Sequence, residues 1–336
     1  MIKITRMAAA IVLLTAACYR PSRPTVQAAL AGPGSIAEPS PAPSVEATSP
    51  TPPPGPRETE PLLARPSAST LALDSTKAST ERRDLFGDSV AVVRADSLGP
   101  SWDIDVHSYE STSRVEHYVQ FFSGPAKDRI TARLERGTRY EPMIRAQMRA
   151  GGLPEDMYYL ALVESGFDPN AYSRAAAVGM WQFMTSTARD MGLRVDWWVD
   201  ERRDPVKSTA AAVKFIKDLR EQFGSLYLAA AAYNGGPGRI ARGLTHYADA
   251  LEGTSGDDLF FALAEKDYLR NETREYVPQL IAAALIAKEP ARYGMKIDAQ
   301  PPFVYDSVMV GPATPIAAIA HAAGTTVAAM LELNPQ

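Results

Sequence analysis

The chemistry of this chain centres on a glutamate in an apolar setting. Residues 157–164 read MYYLALVE, and on a helix Met157, Leu160, Ala161 and Glu164 share one face. Carboxylates are rarely buried unless something pairs or uses them. Burial raises a carboxyl pKa, and the negative end of the helix dipole, where Ser165-Gly166 stops the helix, pushes the same way. An acid that stays protonated near neutral pH is what proton donation to a leaving oxygen requires. The competing reading is a solvated glutamate at a helix end. The next stretch, SGFDPNAYSRAAAVGMWQFM, adds Gly179 for close backbone approach, Trp181 with its broad apolar face, and Gln182 as donor and acceptor. Sugars, with apolar ring faces and hydroxyl edges, need that mixture. Core packing is an equally good reading of Trp181 on its own.

A two-carboxylate glycosidase would need a partner for Glu164 about 5 to 9 Å away. Asp200, Glu201 and Asp204 are the nearest cluster in sequence. Their spacing predicts ion pairing with Arg202 and Arg203 and capping of the next helix. The four histidines are scattered singly and none has HExxH spacing, so no metal and no cofactor is expected. No Ser-His-Asp arrangement and no phosphate-binding glycine loop can be read.

The elements that must position these residues read as helices. Val115, Tyr118, Val119 and Phe122 define one, Ile130 and Leu134 a second, and Met143, Ile144 and Met148 a third. Gly151-Gly152 ends it, and Leu153-Pro154 turns the chain into the Glu164 helix. A loop follows, then a short helix over Thr185 to Met191 and a polar loop with Trp197 and Trp198. Ser208 to Phe223 is amphipathic, and Leu226 to Tyr233 is nearly all apolar, as a buried central helix would be. It stops on Asn234-Gly235-Gly236-Pro237. A last helix starts at Glu272, with Asn271 as its expected cap, Pro278 early in it and Ile281 to Ile286 as its buried half.

Four short motifs occur in order: Glu164-Ser165-Gly166, Gly179-Met180-Trp181-Gln182, Ala232-Tyr233-Asn234, and Glu272-Thr273-Arg274-Glu275-Tyr276-Val277. Together they resemble the catalytic domain of lytic transglycosylases of the goose-lysozyme-like superfamily, over about residues 110–295. That family usually has Gly-Leu-Met-Gln where this chain has Gly-Met-Trp-Gln, a departure that marks a branch. The resemblance implies a mainly α, lysozyme-like fold and an enzyme acting on peptidoglycan glycan strands. It implies cleavage between N-acetylmuramic acid and N-acetylglucosamine, with Glu164 as general acid and then base and no second catalytic carboxylate. The substrate's acetamido group assists, its C6 hydroxyl attacks C1, and a 1,6-anhydro sugar results. Ser165, Met180, Trp181, Gln182, Tyr233 and Asn234 are then placed along the substrate groove, with the Tyr276 hydroxyl against the catalytic carboxyl. A hydrolase of the same fold and a non-catalytic wall-binding protein are the alternatives.

The ends of the chain carry their own signals. Lys3 and Arg6 precede an apolar run from Met7 to Ala17, too short to span a bilayer and shaped like a signal-peptide core. Leu14-Thr15-Ala16-Ala17-Cys18 resembles a lipobox, with Thr15 where leucine is commoner. That resemblance implies removal of residues 1–17 and acylation of Cys18, the one cysteine in the chain. Tyr19 in place of aspartate then points to the outer membrane, with the protein lipid-anchored and facing the periplasm. Residues 18–85 hold 13 of the 27 prolines among Ala, Ser and Thr, and read as a disordered tether reaching on the order of 140 Å. Residues 86–297 form the expected catalytic domain, beginning with either a short strand or an arm packed on the domain over Val90 to Val93. Residues 298–336, a strand over Phe303 to Val310 and two short helices, look like part of a LysM glycan-binding module. With 35 basic and 39 acidic residues, net charge −4 and no basic stretch, nucleic acid is not an expected partner.

Overall fold

The computed structural model describes residues 2–4 and 101–336 and is mainly helical. Val90 to Val93, the tether and Cys18 lie outside the described residues. The chain divides into two compact units, one of residues 57–303 with 335–336 and one of residues 1–56 with 304–334.

Within the larger unit, α1 (Ser113–Ser123) is followed by α2 (Lys127–Ala150). The second and third helices expected from sequence are thus one. Pro142 lies inside it, forfeiting a hydrogen bond, while buried Ile130, Leu134, Ile144 and Met148 hold the helix on both sides of the proline. A 3-10 turn (Glu155–Tyr158) leads into α3 (Tyr159–Ser165), the helix that carries Glu164. The entrance is fixed by Asp156, which is almost fully buried and accepts from Arg145 Nη1 at 3.1 Å and Lys288 Nζ at 2.5 Å. A buried charge of this kind is tolerated because both cations meet it.

Next come α4 (Thr185–Asp190) and α5 (Pro205–Phe223). Asp204 caps α5 by accepting from Val206 N and Lys207 N, and Pro205 fills its first position. The helix α6 (Leu226–Gly235) is buried from Tyr227 to Ala232, and its four consecutive alanines allow close neighbours. Two helices that the sequence reading left out follow, α7 (Pro237–His246) and α8 (Asp258–Ala264). The central element is α9 (Asn271–Lys288), which packs on α1, α3 and α6 and is buried without a break from Tyr276 to Ile286. Asn271 is its first residue rather than its cap, and no side chain caps it. Pro278 is past the first turn, so its missing donor is an interior one, compensated by the surrounding apolar contacts.

In the smaller unit, β2 (Asp306–Val308) precedes α10 (Ile316–Ala322) and α11 (Val327–Leu333). β1 (Ile2–Ile4), inside the expected leader, pairs antiparallel with β2, and Asn334 bonds both backbone groups of Lys3. Ile4, Ile319, Ala320, Ala323 and Met330 form its small core.

Candidate active site

Glu164 occupies the last turn of α3, and everything around it serves to hold that turn. Gly166, at φ +65°, ends the helix: its N–H donates to Leu162 O, and that of Phe167 to Ala161 O. Arg136 Nη1 donates to Gly166 O at 2.8 Å, so a guanidinium caps the helix end. Phe167 turns back and stacks on Tyr158, with centroids 4.5 Å apart. Both rings lie against Gly137 of α2, where an added Cβ would stand 2.4 Å from the Tyr158 hydroxyl and 2.5 Å from the Phe167 ring. Absence of a side chain at Gly137 therefore lets the two helices approach.

Glu164 is half-buried, enclosed by protein except toward a cleft of about 280 Å³. Removal from water pushes its carboxyl up to about 7, from an ordinary 4.5. The nearby carboxylate of Glu272 adds to the rise, and a hydrogen bond from Tyr276 opposes it. That bond runs from the Tyr276 hydroxyl to Glu164 Oε1 at 2.5 Å. Burial pushes the hydroxyls of Tyr276 and Tyr233 well above the usual tyrosine range, so both remain protonated donors. Tyr233 uses its proton on Trp181 O, at 2.7 Å.

The cleft is lined by Glu164, Gln182, Tyr233, Asn234 and Tyr276 from the sequence reading, joined by Glu272, Gln279, Ser173 and Met184. Asn234 is fixed by its own network. Its Nδ2 donates to Glu272 Oε1 at 3.3 Å, and its Oδ1 accepts from Thr273 Oγ1 at 2.8 Å. Gln182 has a left-handed backbone, φ +49°, and donates from Nε2 to Gly179 O at 2.8 Å. Ala176 shares that conformation, so the wall facing the acid is strained at two non-glycine residues, and Phe167, also left-handed, carries the same strain at the end of the acid's own helix. A short ladder, Val178 with Phe183 and Tyr172 with Val178, keeps the wall in place.

Ser165, Met180 and Trp181 are a correction to the expected groove. All three are buried and lie behind the cleft. Ser165 Oγ donates to Met180 O at 2.8 Å and accepts from Asp168 N. Trp181 is fully enclosed because its indole N–H finds Thr209 Oγ1 of α5 at 3.0 Å. Its backbone carbonyl, not its ring, reaches toward the site, through Tyr233. Asp200, Glu201 and Asp204 stay out of the cleft. Asp200 pairs with Arg202, Glu201 with Lys207, and Asp204 caps α5; Arg203 bonds Asn170 instead of a carboxylate. Among the described residues no group of His, Cys, Asp and Glu is placed to hold a metal ion.

The missed residues carried a signal. Glu272, Tyr276 and Gln279 recur at i, i+4 and i+7 along α9, so placing Tyr276 on the acid places the other two on the same face.

A half-buried acid with a near-neutral pKa on a cleft of mixed apolar and polar lining suits a general-acid site for splitting a carbon–oxygen bond. Residues 141–252 match the family described as Transglycosylase SLT domain, a third of the chain. The matched stretch takes in Glu164, Gln182 and Asn234 and ends before Tyr276. Over 163 residues the chain is 37% identical to membrane-bound lytic murein transglycosylase D of Escherichia coli (strain K12), covering 48% of this chain and 34% of that protein. It is 35% identical over 137 residues to peptidoglycan transglycosylase gp16 of Escherichia phage T7, covering 39% of this chain and 10% of that one. The chain thus spans about a third of the first relative and a tenth of the second. Among solved structures, the 70 kDa soluble lytic transglycosylase SLT70 of Escherichia coli aligns with TM-score 0.38 and 22% identity, covering 46% of this chain and 24% of that one.

Proposed function

We propose that the chain is a lytic transglycosylase that cleaves the β-1,4 bond between N-acetylmuramic acid and N-acetylglucosamine in peptidoglycan. The observation that carries this is Glu164, within the stretch that matches the Transglycosylase SLT domain, held near pKa 7 by burial on a cleft and braced by Tyr276. The protonated carboxyl gives its proton to the glycosidic oxygen as the bond from that oxygen to C1 breaks. The substrate's acetamido group steadies the developing charge at C1. The C6 hydroxyl oxygen then bonds to C1 and its proton passes to the Glu164 carboxylate, which restores the acid. No water enters, and the product ends in 1,6-anhydro-N-acetylmuramic acid. Gln182 and Asn234, each fixed by bonds to protein neighbours, are the groups best placed to hold sugar hydroxyls and amides. Ser165, Met180 and Trp181 act from behind, by shaping the wall.

Hydrolysis is the second reading, favoured by one observation: Glu272 brings another carboxylate to the same cleft, where it could activate water. Product mass separates the two, because the anhydro end is lighter by one water. Glu164→Gln should abolish release of wall fragments; unchanged release would overturn the enzymatic reading altogether.

For location, the lipobox-like sequence ending at Cys18 supports a lipid-anchored protein at the periplasmic face of the outer membrane, whose processing would take β1 and Ile4 out of the smaller unit. Cys18→Ser should release it from the membrane fraction. The strand and two helices of 298–336 support a glycan-binding accessory role.

A further inference from the structure

Three large apolar side chains are exposed among the described residues of the 57–303 unit: Met184 at 45%, Trp197 at 90% and Trp198 at 82%. All three lie within 15 residues of chain, and Met184 lines the cleft. Two adjacent tryptophans this exposed mark an interaction site rather than a packing defect.

The loop that bears them is built to hold them out. Asp196 Oδ1 accepts from Trp198 N at 2.8 Å and Val199 N at 3.0 Å, while Asp196 N donates to Val199 O. Val195 bridges Asp200, Glu201 N donates to Arg194 O, and Arg194 N donates to Glu201 Oε2. Arg189 clasps Val195 O from the neighbouring helix α4. The loop is also fastened to the cleft wall. Asp200 accepts from Nε and Nη2 along one edge of the Arg202 guanidinium, each at 2.8 Å, and Arg202 Nη1 donates to Phe183 O at 3.0 Å and Ala176 O at 3.3 Å. The residues beside those two carbonyls, Ala175, Ala177, Gln182 and Met184, line the cleft.

We infer that Trp197 and Trp198 form an outlying platform for the glycan strand, a sugar-stacking subsite beyond the cleft; this rests on the proposed function. A cleft of about 280 Å³ is at the size of a small-ligand site, so a polymer threaded through it must continue over the outer surface. Pyranose rings stack their apolar faces on indoles, and the exposed charges of Arg194 and Asp196 beside the pair offer partners for the hydroxyls. A membrane surface is the lesser fit. Residues 194–201 carry Arg194 against Asp196, Asp200 and Glu201, whereas anionic lipid attracts basic segments.

The test uses the full chain carrying Glu164→Gln, so that the wall is bound but not cut. Co-sedimentation with insoluble peptidoglycan sacculi is compared with and without Trp197→Ala and Trp198→Ala. The double change should weaken sedimentation on the order of tenfold, as loss of two stacked rings predicts, and Trp197→Phe with Trp198→Phe should keep most of it. In the Glu164 enzyme, the same alanine changes should lower turnover of long strands and spare a tetrasaccharide too short to reach the platform. Unchanged sedimentation, or an equal loss on the tetrasaccharide, overturns the platform. So does binding to phosphatidylglycerol vesicles that requires the tryptophans while sacculus binding does not. An enzyme that cleaves neither substrate with Glu164 intact instead overturns the function on which the platform rests.

Discussion

Glu164 should make the fold less stable where the wild-type acid is ionised, and Glu164→Gln should remove that penalty. In the folded chain its carboxyl titrates near 7, against an ordinary value of 4.5. At about 1.4 kcal/mol per pH unit, that separation corresponds to a penalty on the order of 3 kcal/mol. The sign follows from proton binding. Between pH 4.5 and 7 the folded state holds a proton that the unfolded state has released, so stability falls as pH rises. Below 4.5 both states are protonated and the term vanishes; above 7 the full penalty is present. Glutamine keeps an oxygen to accept from the Tyr276 hydroxyl and never ionises. Urea unfolding of both proteins from pH 4 to pH 8 isolates the effect, because every other titrating group is common to them. The two should differ progressively across pH 4.5 to 7, the variant gaining about 2 to 4 kcal/mol relative to wild type. A difference that stays constant with pH to within about 0.5 kcal/mol would refute the reasoning, since Glu164 would then titrate as an exposed carboxyl does.

Three further perturbations test the supports of the site. Tyr276→Phe removes the one hydrogen bond that lowers the Glu164 pKa, so the alkaline limb of the kcat/KM profile should move to higher pH. Turnover should fall on the order of 10²-fold as the acid loses its brace, both read from a pH–rate series on wall fragments. Gly179→Ala would set a Cβ 1.9 Å from Arg202 O at a residue with φ +86°, and should cost more than about 3 kcal/mol, seen as a collapse in Tm and soluble yield. Asp204→Ala removes the acceptor for two backbone N–H groups at the start of α5 and should cost about 1 to 2 kcal/mol by urea unfolding, with the pH dependence of activity unmoved.

Much of the site was legible because it follows helical register. Leu160, Ala161 and Glu164 share a face in sequence and lie on α3 as expected, whereas Met157 falls in the 3-10 turn before it and the helix is buried all round from Tyr159 to Val163, with the acid at its open end. Tyr276 meeting Glu164 came from the order of motifs, since no local pattern links residues so far apart. The resemblance put Trp181 on the groove; the structure buries it because Thr209, a residue of another helix, satisfies its indole N–H. Such a partner is invisible to periodicity. The stop at Asn234-Gly235-Gly236 was read correctly as an end, yet Pro237 is also the first residue of α7. The break expected between Leu134 and Met143 is absent, because packing along α2 outweighs the one hydrogen bond that Pro142 forfeits.

The contact between Tyr276 and Glu164 joins residues 112 positions apart, and among the described residues α9 is the last α-helix of its unit to be synthesised. While a chain is still emerging, the segment of α3 has no α9 to cover it, and seven residues are too few to hold a helix alone. Glu164 then stands in water with an ordinary carboxyl pKa and is ionised at neutral pH. Only docking of α9, which brings Tyr276, Glu272 and the buried run to Ile286, makes it an acid able to give up a proton at that pH. The raised proton affinity of Glu164 is thus a property of the completed fold, and a partly unfolded molecule carries the glutamate as an ordinary carboxylate.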